Sequence, residues 1–378
     1  MNVPLAWRHA LDNKIRTVLA AAGVGAALLL IYMQVCFYDT GLRSSSLFYD
    51  QLDFDLILVS PEYVNLRYAG HIARAYLEQA KQSAGMADAV PLSIGSGDFR
   101  QQGHGTRYEV MIVGVDAATQ PFRVPSLRGK LPRLRLPETA IFDQVMVGPD
   151  RPAIRAGDLL EADGRRVRIV DTYLHGPGLI ADAEMIVSEE TMSTIFPAFK
   201  TSSPSLGLLR LKPGADPLRI ARELRTLLPS QVNVWTREQV KAADENFLMR
   251  RKPLGTFFLA GIVLGLTVGT VVVYQVLEAA VITASAEYAA MRAIGYGKIQ
   301  IQAIVFQQSL LFVVLALPPA TGLAYLLNRF LKSSTHWPFE LTGQTVLFVS
   351  FLAMMLCGMS GVLVIGKLQR TDPADLFT

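Results

Sequence analysis

Charged residues are scarce in this chain of 378 residues, where Asp, Glu, Lys and Arg together make up 18%. A soluble domain of this length carries about a quarter charged residues. The deficit is confined to four stretches with almost no charge, whereas the segment from about Asp39 to Lys252 has an ordinary globular mixture. This split excludes a single soluble globule and predicts a membrane part and a soluble part.

Cysteine and basic clusters are also rare. The chain has two cysteines, Cys36 and Cys357, and both lie in apolar runs. Neither can cross-link the soluble segment, which must therefore be held together by its own core. The formal net charge is only +4. Because the basic residues form no stripe interleaved with aromatic ones, we expect no nucleic-acid partner.

Short catalytic motifs are missing as well. The sequence contains no H-E-x-x-H, C-x-x-C, G-x-S-x-G or G-x-x-x-x-G-K-[ST] pattern. Its five histidines are scattered without the spacing of metal ligands. We therefore expect no catalytic residue, no metal site and no cofactor bound by this chain itself. A membrane-anchored enzyme with an unrecognised site is the alternative that this leaves open.

The chain does have four long apolar runs, which predict transmembrane helices at 18–38, 253–278, 299–328 and 341–366. About 20 apolar residues cross about 30 Å of hydrocarbon as a helix, and each run is long enough. No charged residue lies in the middle of a run, so a proton or ion relay is not indicated. The adjacent Pro318 and Pro319 predict a kink or an early end of the third span.

Basic residues set the predicted orientation. Arg8, Lys14 and Arg16 shortly precede the first span, and positive residues flank the cytoplasmic side of a span. The segments that this rule places in the cytoplasm are 1–17, 279–298 and 367–378. The inserted segment 39–252 and the short loop 329–340 then lie outside. Segment 1–17 is predicted to be an interfacial helix or a plain extension of the first span.

The inserted segment mixes strand and helix signals. Apolar runs predict strands at Phe54–Val59, Tyr108–Val115, Arg166–Thr172, Ala183–Val187, Ser205–Leu211 and Val232–Trp235. Helix signals lie at His71–Ser83, at Ser188, at Asp216 with Pro217, and in a capping box from Thr236 to Gln239. The predicted fold class is therefore membrane α-helical, with four transmembrane helices in a 1+3 arrangement and an inserted α+β extracytoplasmic domain.

The connections to the membrane are predicted to be helical stalks. The helix that opens at Thr236 meets no breaker before Pro253, so it can run almost directly into the second span. The same holds for Tyr38–Phe48 after the first span. The stretch Gln120–Pro137 is rich in Pro, Arg and Leu and predicts a loop or a junction between subdomains.

A short helical pattern, Glu287-Tyr-Ala-Ala-Met-Arg-Ala-Ile-Gly295, lies between the second and third spans. Small or apolar residues alternate here with charged ones, and Gly295 fits the C′ position that ends a helix. A short helix tied at both ends to spans can transmit a push. A plain loop helix lying on the membrane surface is the alternative.

This pattern resembles the coupling-helix signature of FtsX-like permeases, the membrane subunits of MacB-type and LolC-type ABC transporters. The resemblance extends to Leu5–Thr17, to Lys367–Phe377 and to the 1+3 arrangement around a large outer domain. It is greatest for the DevC type, through Val272–Val276 and the Asp-Pro-Ala-Asp-Leu-Phe ending. Taken singly each motif is weak, but the ordered set is specific.

The resemblance implies a non-catalytic permease in the bacterial inner membrane, with both termini cytoplasmic and the large domain periplasmic. A cytoplasmic ABC ATPase subunit would bind ATP and Mg and contact the permease through Glu287, Tyr288, Ala289, Met291, Arg292, Ile294 and Gly295. Further implied partners are a second permease copy, a periplasmic membrane-fusion protein, an outer-membrane channel and membrane lipid. The implied function is export of lipid, glycolipid or other envelope material. The alternative is an FtsX-like signalling protein that moves no substrate.

Overall fold

The computed structural model describes residues 14–101, 106–127, 129–146, 153–162, 164–176, 181–251, 254–283, 290–291, 294–295, 297–335 and 337–370. The chain divides into two compact units. The membrane unit comprises Met1–Thr40, Gly255–Lys332 and Phe339–Thr378, and the soluble unit comprises Gly41–Leu254 and Ser333–Pro338.

The helices of the described residues are α1 (Lys14–Gln51), α2 (Arg74–Lys81), α3 (Glu189–Ile195), α4 (Pro217–Leu227), α5 (Arg237–Asn246), α6 (Leu254–Thr283), α7 (Lys298–Thr335) and α8 (Gly343–Arg370). Three helical stretches are long and apolar enough to cross a membrane: Thr17–Gln51, Leu254–Val276 and Phe306–Thr335. A shorter apolar stretch, Gly343–Leu356, lies in α8. The chain is therefore a membrane protein, and its fourth span stays a prediction.

Helix α7 corrects the expectation of an early end at Pro318 and Pro319, because it continues through both prolines to Thr335. The loop predicted at 329–340 is accordingly helical in its first half. The prolines remove the two N–H donors that would bond to the carbonyls of Val314 and Leu315. Membrane helices tolerate this loss because neighbouring groups and local helix adjustments compensate for it.

Glycines on one face of α6 allow α1 to pack closely in the membrane unit. Gly261, Gly265 and Gly269 follow at intervals of four residues, and a side chain at any of them would meet another helix. A Cβ on Gly265 would lie 2.7 Å from Leu30 Cδ2, and one on Gly261 would overlap the Gln34 amide. Small residues at this spacing let membrane helices approach each other without a bulky side chain between them.

The soluble unit contains nine strands, β1 (Leu56–Val59), β2 (Met86–Gln101), β3 (Tyr108–Val115), β4 (Thr139–Asp143), β5 (Leu159–Ala162), β6 (Arg165–Tyr173), β7 (Ala183–Ser188), β8 (Leu206–Leu211) and β9 (Asn233–Thr236). Six of them close into a ring in the order β2–β3–β7–β4–β6–β5, because β2 pairs with both β3 and β5. The ring encloses its own apolar core, which includes Phe99, Val110, Phe142 and Met185.

The ring of six strands forms one lobe of the soluble unit. The other lobe is a four-stranded antiparallel sheet in the order β9–β1–β8–β2. Helix α2 connects β1 to β2 and helix α4 connects β8 to β9, which is the split βαβ topology. Apolar residues of both helices pack on one face of this sheet. The ring is thus inserted between β2 and β8, and the 16-residue strand β2 belongs to both lobes.

The largest apolar core lies where the two lobes meet, and the last turn of α1 is part of it. Phe48, Tyr49 and Leu52 pack there with residues of both lobes and with Val240 of α5. The stretch predicted as a loop at Gln120–Pro137 forms a bridge and two 3-10 turns, and four of its apolar residues join the same core. It is a packed junction of the domain.

The local helix signals were accurate. Ser188 accepts a bond from Thr191 N–H, Asp216 accepts one from Leu218 N–H, and Thr236 forms a capping box with Gln239. The six predicted strands are present, whereas β2, β4 and β5 were missed. Strand β2 has polar residues and two glycines in its second half, so no simple alternation marks it. After α5 the chain continues as a π-helical turn, Phe247–Arg251.

Candidate functional site

The segment 287–295 is described only in part, and Glu287, Tyr288, Ala289 and Arg292 lie outside the described residues. The structure places the other three predicted contact residues. Met291 is half-buried and packs against the apolar cluster of α1, α6, α7 and α8. Ile294 is 79% exposed, and Gly295 has a φ of +106° with nothing near its missing Cβ.

Different contacts and backbone angles fix the positions of Met291, Ile294 and Gly295. The amide of Ile294 donates to the carbonyl of Ala290 at 3.1 Å, as in a helical turn. Gly295 then takes the positive φ that the predicted C′ position requires, and glycine adopts it without steric cost. Met291 therefore faces the membrane unit's own core, whereas Ile294 presents an apolar side chain that nothing in the described structure covers.

A second candidate site is the stalk joint, defined as the last turn of α1 (Phe48–Gln51), helix α5 and the side chains that bind them. The joint lies entirely within the soluble unit. Arg237 of α5 donates to the carbonyls of Tyr49 at 2.5 Å, Leu52 at 3.0 Å and Phe54 at 2.7 Å. Its guanidinium also lies 4.0 Å from the centroid of the Phe54 ring. A cation bonded to the last carbonyls of a helix caps its C-terminus.

An ion pair and a buried carboxylate add to this contact. Lys241 of α5 pairs with Asp50 of α1. One turn further along α5, the Asp244 carboxyl group lies within hydrogen-bond distance of the hydroxyls of Tyr49, at 3.0 Å, and Tyr63, at 2.7 Å. Burial is the main reason that the pKa of Asp244 is raised to about 7. The two stalk helices are therefore joined side chain to side chain.

A second buried carboxylate, that of Glu184 in the ring of six strands, binds the last residue of α1. Glu184 of β7 accepts bonds from the Gln51 amide at 2.8 Å and the Tyr173 hydroxyl at 2.6 Å. Burial, and then the charge of Asp143, raise the pKa of Glu184 to about 8. The last turn of α1 is thus bonded to α5 on one side and to the inserted ring on another.

Sequence reasoning missed the stalk joint as a site. The available signal was polar residues within otherwise apolar stretches, such as Glu184 inside the run Ala183–Val187. A buried carboxylate needs partners, but the sequence does not say which elements supply them. Within the described part of the chain, no group of three or more His, Cys, Asp and Glu residues could hold a metal ion.

Comparison with solved structures finds similar domains, among them the following three. The periplasmic region of MacB from Actinobacillus actinomycetemcomitans is 9% identical, with a TM-score of 0.36, over 52% of this chain and 95% of that one. The extracellular domain of the ABC-type transporter YknZ from Gram-positive bacteria is 17% identical, with a TM-score of 0.33, over 49% and 100%. A domain of a putative permease protein from Porphyromonas gingivalis is 14% identical, with a TM-score of 0.32, over 50% and 88%.

No curated protein sequence matches this chain significantly. Residues 258–373, which include all but the first four residues of α6, the segment 287–295, α7 and α8, match the family model of the FtsX-like permease C-terminal domain. The resemblance inferred from the motifs is thereby confirmed, whereas the DevC subtype stays a prediction. The membrane part of the chain thus carries an FtsX-like permease C-terminal domain.

Proposed function

We propose that this chain is the membrane subunit of an ABC-type export complex, which relays the motion of a separate ATPase to its soluble domain. The stalk joint is the observation that carries this proposal. Helix α1 begins in the membrane unit and ends, unbroken, in the main core of the soluble unit. There its last turn is fixed to α5, the helix that precedes α6. A displacement of either stalk helix would therefore reach both lobes.

The segment 287–295 is the proposed ATPase contact. In this proposal the ATPase binds ATP and Mg in the cytoplasm, and this chain contributes no catalytic residue. The exposed apolar side chain of Ile294 supports the contact because the described residues leave it uncovered. The soluble unit would lie in the periplasm, where it would work with a membrane-fusion protein and an outer-membrane channel. A second permease copy would complete the complex.

A substitution at Ile294 tests the ATPase contact. We expect Ile294→Glu to reduce recovery of a co-expressed partner ABC ATPase at least about tenfold, because a charge would be buried in an apolar contact. Ile294 is exposed, so the permease should still fold. The matched control is Leu218→Glu, since Leu218 is also apolar and is 63% exposed but lies in the soluble unit. Equal recovery with wild type and Ile294→Glu would contradict the assignment.

Reconstitution separates export from signalling. The complex would be placed in vesicles with the fusion protein, and lipid extraction would be measured together with ATP hydrolysis. Lipid released in proportion to ATP hydrolysed is the expected result. ATP hydrolysis that the permease stimulates without any lipid release would instead identify a signalling protein. The absence of mid-span charges in the sequence agrees with a route in which cargo does not pass between the spans.

A further inference from the structure

Three polar side chains meet in a closed ring of contacts inside the stalk joint. Tyr49 Oη lies 3.0 Å from Asp244 Oδ2, and Tyr63 Oη lies 2.7 Å from Asp244 Oδ1. The two tyrosine hydroxyls are also in hydrogen-bond contact with each other. All three side chains are buried. The ring joins α1, the loop after β1 and α5, and the Leu66 amide adds a bond to Oδ2 at 3.3 Å.

The number of available hydrogens decides whether all three contacts between Tyr49, Tyr63 and Asp244 can be hydrogen bonds. Each of its three oxygen–oxygen contacts needs one hydrogen, and the two hydroxyls supply two. With an ionised Asp244, one contact would bring two lone pairs together in a buried site, which is unfavourable. A protonated Asp244 supplies the third hydrogen. Asp244 then donates to Tyr63, Tyr63 donates to Tyr49, and Tyr49 donates back to Asp244.

The surrounding charges also favour the neutral carboxyl group. On α5, Lys241 is paired with Asp50, and Arg237 donates to backbone carbonyls. The neighbouring Glu245 adds negative charge. Among the described residues, no Lys, Arg or His forms an ion pair with Asp244, so no cation offsets a negative charge buried there.

We propose that Asp244 binds a proton and that the ring of Tyr49, Tyr63 and Asp244 is a proton-dependent latch between α1 and α5. With the proton bound, the ring is closed and the last turn of α1 is held against α5. Loss of the proton opens one contact and loosens this hold. The π-helical turn Phe247–Arg251 follows α5 directly, and such turns occur often at functional sites. The inference concerns the soluble unit alone and does not depend on the proposed transport function.

The pKa of Asp244 sets the pH range in which the latch would open and close. Burial raises this pKa from the ordinary 3.8 to about 7. Because the folded-state pKa is the higher one, the folded chain holds the proton more tightly than the unfolded chain. The contribution of Asp244 to stability is therefore full below about pH 4 and is lost as the pH rises towards 7. The latch would respond to changes near neutral pH.

Infrared difference spectroscopy of the full-length chain in detergent tests the proton directly. We expect spectra taken between about pH 5 and pH 9 to contain a protonated-carboxyl band that titrates near 7 and is absent from Asp244→Asn. Glu184→Gln is the matched control, since the pKa of Glu184 is also raised, to about 8. That variant should keep the band near 7. A wild-type spectrum without this band, or a band that survives in Asp244→Asn, would overturn the proposal.

A second variant keeps the test decisive even if Asp244→Asn fails to fold. Tyr49→Phe removes the hydroxyl whose contacts with Tyr63 and Asp244 create the need for a third hydrogen. Tyr63 alone can then donate to an ionised Asp244, so we expect the titration midpoint of the carboxyl band to fall, with about a tenfold decrease in proton affinity. A rise would mean that Tyr49 favours the ionised carboxylate, and it would reject the latch. An unchanged midpoint would show that Tyr49 and Asp244 do not share a hydrogen-bonded ring, and the latch would be rejected.

Discussion

At the scale of single residues, Arg237 combines several roles in the stalk joint. It supplies the N–H donors for three carbonyls at and just beyond the end of α1. It also covers the Phe54 ring. Its burial, followed by the nearby charge of Arg123, lowers the pKa of Arg237, but a guanidinium stays charged in any ordinary pH range. The geometry depends on the planar fork of donors, which lysine does not have.

We expect Arg237→Met to lower the free energy of unfolding of the soluble unit by about 2–3 kcal/mol, because carbonyls next to the core lose a charged donor. Thermal unfolding of the purified full-length chain, followed by circular dichroism, would measure the change. Arg219→Met is the control, since Arg219 lies on the exposed face of α4 and pairs only with Glu223 one turn away. That control should unfold as wild type does, and an equal loss in both variants would contradict the capping role.

Residue types that act locally were the most predictable from the sequence. The N-caps at Ser188, Asp216 and Thr236 were found because a cap bonds to an amide only two or three residues away. Arg237 was not found, because its carbonyl partners lie about 185 positions earlier in the chain. The same is true of Asp244 and its tyrosine partners.

At the scale of elements, the contact between α1 and α6 depends on glycine at Gly265. A Cβ there would lie 2.7 Å from Leu30 Cδ2 and 3.3 Å from Ile31 Cγ1. The pattern Gly261-x-x-x-Gly265-x-x-x-Gly269 is visible in the sequence and indicates close helix packing. The sequence does not say which helix approaches it.

We expect Gly265→Leu to push α1 away from α6 and to destabilise the full-length chain by about 1–3 kcal/mol, the usual cost of overpacking. Its thermal unfolding midpoint in detergent should fall accordingly. Gly322→Leu serves as the matched control in α7, because nothing lies within 4 Å of its missing Cβ. The control should change the midpoint little. If the two variants behave alike, the glycine face of α6 is not a packing surface.

At the scale of the whole molecule, the open question is how the chain is threaded through the membrane. The predicted orientation rests on the basic residues before the first span, and the predicted even number of spans would put both termini on the same side. In the predicted orientation, two exposed positions would lie on opposite sides of the membrane. Thr194 lies in the soluble unit, and Ile294 lies between α6 and α7.

We expect Thr194→Cys to react with a membrane-impermeant maleimide in spheroplasts, and Ile294→Cys to react only after the membrane is permeabilised. Labelling of the full-length chain would be read on a gel. Cys36 is buried and is not expected to react, and the unsubstituted chain controls for both native cysteines. The reverse pattern would invert the proposed orientation, and equal labelling of both sites without permeabilisation would exclude it.

The sequence by itself determined the features that depend on local composition and spacing. Long apolar runs have to be helices in a membrane, because hydrocarbon offers no partner to an unpaired backbone group. Caps and short alternating strands are equally local, and the ordered motifs of the C-terminal part were enough to indicate the FtsX-like family.

Only the tertiary structure decided the closed ring of strands, the double role of β2 and the stalk joint. Strand β2 pairs with three different strands, and strand pairing is set by partners that no local pattern names. Tyr49, Tyr63 and Asp244 are separated by up to 195 positions, yet they share one buried hydrogen-bond ring. Burial and mutual contact, which exist only in the folded chain, turn three ordinary side chains into a candidate proton site.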